Sequence, residues 1–236
     1  MPRSKHQNKS ILPIRLADII RIYQLRNYLW QARTKGFEIP SQPHFDEQGI
    51  LYFCEHIKSS QVYLEYGSGG STLVAARYVG TLISVDSDKQ FLRSVEKVIE
   101  SGRNQTRKLI HANIGLTEQW GRPVIRKLTR GRARRWSNYS HLPWQWLRRH
   151  NLEPDTILVD GRFRVACVLE SIKNMKTPDN CKILFDDYAE REYYHIVEAF
   201  CILLRMEGRM AILQPKRNID QNSLLEKLTE AQQDFR

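Results

Sequence analysis

Short runs of β-branched and apolar residues alternate along this chain with longer stretches whose apolar positions recur every three or four residues. Residues 62–65, 82–85, 108–111, 156–159 and 182–185 form the short runs, and the stretches 72–78, 88–101, 164–175 and 190–205 carry the helical spacing. The first run is apolar enough for a strand buried on both faces. Strands alternating with helices predict an α/β fold with a doubly wound, mostly parallel Rossmann-like sheet. Residues 210–213 predict a late strand, and the polar stretch 218–236 a final helix or a frayed tail.

Ahead of this pattern, residues 14–33 place Ile14, Leu16, Ile19, Ile20, Tyr23, Leu25 and Trp30 at mostly helical spacing, with arginines filling the other positions. This predicts an amphipathic helix, packed on its own domain or presented to a membrane surface or a second subunit. Gly36 and Pro40 end it, and residues 45–57 predict a second, shorter helix. The organisation expected is a helical extension over 1–58, one ligand-binding domain over 59–217, and a C-terminal helix or tail over 218–236.

One segment breaks the rhythm. Residues 121–151 hold Trp136, Trp144, Trp146 and nine Lys or Arg, with no acidic residue, and look like a basic insert between the third and fourth strands. Arginines interleaved with tryptophans suit phosphates and stacked bases. They equally suit a basic loop whose tryptophans pack on the domain, or a cap over the site that selects an anionic small substrate. The whole chain, 236 residues with 37 Lys and Arg against 26 Asp and Glu, carries +11 and favours anionic partners without choosing among nucleic acid, lipid and phosphorylated molecules. Cys54, Cys167, Cys181 and Cys201 are scattered without zinc-site spacing and read as reduced core residues. Arg15, Asp18, Arg21 and Arg26 interrupt the N-terminal apolar positions, so neither a secretory signal nor a transmembrane span is expected, and cytoplasmic residence follows by default.

The chemistry begins at Glu65-Tyr66-Gly67-Ser68-Gly69-Gly70-Ser71, which follows a predicted strand and opens a predicted helix. Glycines there let the chain turn sharply and let a ligand approach the backbone. Asp86 ends the second strand about 20 residues on, where a carboxylate takes the ribose hydroxyls of an adenine nucleoside. A nicotinamide dinucleotide uses the same geometry, but position 72 is Thr where its fingerprint needs a third glycine. Glu65 also suits the cationic amino-acid end of S-adenosylmethionine better than a diphosphate. The methyl donor is the preferred ligand.

The segment from Leu64 to Thr72 resembles the first motif of class I S-adenosylmethionine-dependent methyltransferases, and Ser84-Val85-Asp86 resembles their second. The resemblance spans roughly residues 62–213 as an ordered set of strand-end motifs. It implies that Glu65, Gly67, Ser68, Gly69 and Ser71 line the donor pocket, that Asp86 holds its ribose, and that Asn113 lies by the adenine.

Asp160 ends the fourth strand and Asp186-Asp187 the fifth, so three carboxylates are expected beside the donor at one sheet edge. Such charges repel, and an arginine or a divalent cation must sit among them; an all-oxygen set suits Mg²⁺, Mn²⁺ or Ca²⁺. The arrangement resembles metal-dependent O-methyltransferases of the catechol and macrocin types, which implies Mg²⁺ or Mn²⁺ on Asp160, Asp186 and Asp187 and a hydroxyl acceptor activated by the cation. The Lys or Asp that those relatives carry after the strand-four Asp is absent here, and Asp160-Gly161-Arg162-Phe163-Arg164 stands instead. Arginine is a poor base. Either His195 or Tyr188 takes the proton, or Arg162 and Arg164 neutralise the cluster and no metal binds. The function expected is O-methylation of a hydroxylated small molecule or glycan. RNA methylation and a donor-binding module without turnover are the alternatives.

Overall fold

The computed structural model describes residues 16–99 and 105–236. The predicted N-terminal helix falls into two pieces, α1 (Leu16–Gln24) and α2 (Arg26–Thr34), and Ile14 lies outside the described residues. Then come α3 (Glu47–His56), β1 (Val62–Tyr66), α4 (Gly70–Ala75), β2 (Thr81–Asp86), α5 (Lys89–Val98) and β3 (Thr106–His111). A small hairpin, β4 (Thr117–Glu118) and β5 (Arg122–Pro123), leads to α6 (Arg130–Arg149), β6 (Thr156–Val159), α7 (Arg164–Asn174) and β7 (Lys182–Phe185). The chain closes with β8 (Cys201–Glu207), β9 (Met210–Pro215) and α8 (Gln221–Ala231).

Seven strands form one sheet in the order β3-β2-β1-β6-β7-β9-β8. The first five are parallel, whereas β9 runs antiparallel to both β7 and β8. Alternation along each strand feeds two cores, because successive side chains point to opposite faces. Tyr63, Leu158 and Leu184 meet Phe53, Ile57 and Val74 on one side. Leu64, Tyr66, Val159 and Phe185 meet Trp136, Trp144 and Leu169 on the other.

Two departures from the sequence reading bear on function. The stretch 190–205 is not a helix: Glu192–Ala199 is a 3-10 run and the remainder belongs to β8. The apolar run Ile202-Leu203-Leu204 serves an edge strand, since pairing with β9 satisfies its backbone and sheet formation overrides local spacing. The basic segment 121–151 is mostly the 20-residue α6, packed on the sheet rather than standing off it. Trp136 and Trp144 are about as buried as any side chain in the protein, so they belong to the core. Arg134, Arg135, Arg148 and Arg149 line the solvent face of that helix.

Candidate functional site

The strand order reverses between β1 and β6, whose connections run to opposite sides, and open α/β sheets bind ligands at such a point, outside the carboxyl ends of the strands. Gly67, at φ +101, lies directly against Gly161 of the next strand end. A Cβ at Gly67 would sit 2.7 Å from the Gly161 nitrogen, so both positions require glycine. A Cβ at Gly69 would meet nothing within 4 Å, which leaves its backbone open to a ligand.

Below this loop Glu65 is fully buried, with its carboxylate accepting from the Tyr63 hydroxyl at 3.0 Å, from Ser71 Oγ at 2.9 Å and from the Thr72 hydroxyl. Burial raises the Glu65 carboxyl, and the hydroxyls around it oppose that shift. Ser68 hydrogen-bonds Ser84 through the two hydroxyls, 2.6 Å apart, while its backbone N–H donates to Asp86 Oδ2 at 3.1 Å. The other Asp86 oxygen accepts from the Asp88 N–H at 2.7 Å. Burial pushes the Asp86 carboxyl up to about 7, against those two backbone donors. Each oxygen keeps a lone pair for a further donor. Asn113 is exposed after β3, with its Oδ1 accepting from the Gly115 N–H at 3.0 Å.

Across the switch point, Asp160, Asp186 and Asp187 bring carboxylate oxygens within 4.8 Å of one another. Arginines hold all three. Arg164, nearly fully buried, places Nη2 3.0 Å from Asp160 and 3.1 Å from Asp187. Arg209 grips both oxygens of Asp186 at 3.0 Å and lies 3.2 Å from Asp187, which Arg191 also meets at 2.7 Å. Because guanidinium N–H groups point into the space between these oxygens, the donor set does not fit a divalent cation, which would have to displace two arginines. Asp160 stays about a quarter exposed, with side-chain accessibility of 27%. Desolvation raises its carboxyl, partly opposed by Arg164 and reinforced by Asp186 and Asp187.

Backbone strain concentrates here. Trp120, Phe163 and Asp187 are three of the four non-glycine residues with positive φ among those described, and they flank this strand edge. Trp120 is exposed and tilts against His44, with ring centroids 5.8 Å apart.

No family model matches the sequence, and no curated protein does. Among solved structures, a methyltransferase-like protein from Silicibacter pomeroyi DSS-3 is 30% identical with a TM-score of 0.71, over 83% of this chain and 100% of that one. The chain belongs to the class I S-adenosylmethionine-dependent methyltransferase family. An O-methyltransferase from Bacillus cereus in complex with S-adenosylhomocysteine is 14% identical with a TM-score of 0.48, over 87% of this chain and 94% of that one.

Within this class I methyltransferase the structure gathers most of the predicted residues and separates one. Gly67, Ser68, Gly69, Ser71, Asp86 and Asn113 share the carboxyl edge of β1 to β3, while Glu65 lies beneath the loop and holds its hydroxyls. His195 packs on Tyr188 and makes no hydrogen bond or ion pair with the three carboxylates: its Nε2 lies 3.4 Å from the Tyr188 carbonyl and its ring tilts against the Tyr188 ring. Burial, together with the hydrogen bond that the Tyr188 hydroxyl donates to Glu198 at 2.7 Å, raises the Tyr188 pKa and removes it as a base. Arg164 neutralises the cluster, as one of the two sequence readings required, and Arg162 does not. Arg191 and Arg209 escaped the sequence reading. Arg209 sits in the β8–β9 turn, anchored by its N–H to Asp46 Oδ2 at 2.6 Å, and nothing in its spacing ties it to the carboxylates.

Proposed function

We propose that this methyltransferase transfers the donor methyl to a hydroxyl of a small molecule or glycan, with Asp160 as the base and without a bound divalent cation. The observation that carries the reading is Asp160 itself, a part-exposed carboxylate with a raised pKa, at the strand end that abuts Gly67. A base titrating near neutrality suits proton abstraction from an acceptor hydroxyl. Asp86 would accept the two ribose hydroxyls of the donor and the open Gly69 backbone would let it approach, and the bound donor would supply the methyl group. The acceptor O–H proton passes to Asp160 as the oxygen attacks the methyl carbon, the C–S bond breaks, and S-adenosylhomocysteine leaves as a neutral thioether. Arg164 holds Asp160 in place and stabilises its anionic form. Proximity and alignment in the crevice supply the remaining rate enhancement.

Calorimetry with S-adenosylhomocysteine tests the donor half. Binding should be saturable, and Asp86→Ala should weaken it by about 1–3 kcal/mol, the scale for losing hydrogen bonds to a charged group. Tight NADH binding with none of the thioether would overturn it. Labelled donor offered to fractionated hydroxylated metabolites, glycans and RNA tests the acceptor half. Asp160→Asn should abolish transfer while leaving thioether binding intact; methylation confined to the RNA fraction would sink the small-molecule reading.

A further inference from the structure

Four arginines from neighbouring elements surround the crevice, and three of them are matched to carboxylates. Arg164, Arg191 and Arg209 divide Asp160, Asp186 and Asp187 among themselves. Arg162 pairs with no carboxylate among the described residues, and its Nε is buried without a hydrogen-bond partner. Its backbone N–H donates to the Tyr139 hydroxyl at 3.3 Å, which fixes the residue beside Gly161 and hence against the glycine loop. Its charge lowers the pKa of Asp86 on one side, and it is repelled by Arg164 and Arg122 on the others. A guanidinium desolvated against two like charges is costly, and an unmatched buried donor adds to that cost. Stability alone would not keep it there.

We propose that Arg162 is the acceptor-recognising residue of this methyltransferase, binding a phosphate, sulfate or carboxylate group of the hydroxylated acceptor. This rests on the reading of the crevice as a methyl-transfer site and narrows its substrate class to anions. The planar guanidinium offers two parallel N–H groups to an oxyanion. Arg162 follows Asp160 by two residues and its charge reaches Asp86, so an anion held on it lies near both the base and the ribose carboxylate. The donor's own carboxylate is the other anion within reach of this charge, and the two sources predict different competition.

Inorganic phosphate is the probe, followed by phosphorus NMR and calorimetry on the full chain with and without saturating S-adenosylhomocysteine. Saturable phosphate binding that persists with the thioether bound, and falls about tenfold in Arg162→Gln, is the expected result. Arg162→Lys should restore most of it. On the alkaline plateau, where Asp86 is ionised in both proteins, thioether affinity should be unchanged in Arg162→Gln, and its Tm should not fall, because a like-charge contact is removed; an arginine with only a structural role would give the opposite shift. Phosphate bound equally by Arg162→Gln overturns the proposal, as does an absence of saturable binding at millimolar phosphate. Competition between phosphate and thioether, with both lost in the variant, assigns Arg162 to the donor carboxylate instead. Failure of the thioether to bind the parent protein would sink the methyl-transfer reading alone, since the phosphate titration without it still reports on Arg162.

Discussion

Arg209 holds Asp186 with two parallel hydrogen bonds, Nε and Nη2 each 3.0 Å from a different carboxylate oxygen. The Asp186 side chain is 1% exposed, while Arg209 keeps 28% and reaches solvent. The same arginine donates to the His44 carbonyl at 2.5 Å, so the pair ties the segment ahead of α3 to the β8–β9 turn and to the site at once.

Removing that arginine leaves a buried carboxylate with no cation at its oxygens. Arg209→Ala should cost about 2–4 kcal/mol, somewhat below the range for a fully buried pair because Arg209 is part-exposed. Urea unfolding should show a lower midpoint with the slope unchanged. A midpoint equal to the parent's would mean that Arg164 and Arg191 suffice for the cluster.

The second expectation concerns metal. With Arg164 and Arg209 inside the carboxylate triad, exhaustive chelation should leave methyl transfer and Tm unaltered, and added Mg²⁺ or Mn²⁺ should not raise Tm. Transfer abolished by chelation and restored by Mg²⁺ would show that a cation displaces the arginines.

Acidity gives a third. The Asp86 carboxyl is raised from its ordinary 3.8 to about 7, so the folded chain holds this proton over an interval where the unfolded chain has released it. Its contribution therefore favours the fold at the acid end and is lost as pH rises from 3.8 through about 7. Donor binding runs the other way, because the ribose hydroxyls need the ionised form. Roughly one pH unit below the Asp86 value, thioether affinity should be about tenfold weaker than on the alkaline plateau. Calorimetry across pH on the parent and on Asp86→Ala checks this; a slope that survives in the variant assigns the titration elsewhere.

Trp144 provides the fourth. Its Nε1 donates to the Tyr66 hydroxyl at 3.0 Å from within the core between α6 and the sheet. Trp144→Ala should destabilise the fold by about 3–5 kcal/mol. Were α6 a cap over the acceptor, the same change would alter acceptor choice and leave the unfolding midpoint in place.

Local chemistry made part of this protein legible in its sequence. Short apolar, β-branched runs and glycines at a strand end set the strands from residue 62 to 185, the turn at Gly67-Ser68-Gly69, and the carboxylates at 86, 160, 186 and 187 to one edge, because parallel strands joined by helices must all end on the same side. Tertiary structure decided what those carboxylates meet. Arg209 arrives through an antiparallel turn whose first strand, β8, has apolar residues that read equally well as a helix, and only pairing with β9 settles it. Trp136 and Trp144 likewise show in sequence as aromatics in a basic tract, and helix α6 turns them into the sheet while its arginines face water. Ion pairs among Asp160, Asp186, Asp187 and their arginines join residues up to 23 positions apart, as from Arg164 to Asp187, and such distances are closed by packing, not by sequence spacing.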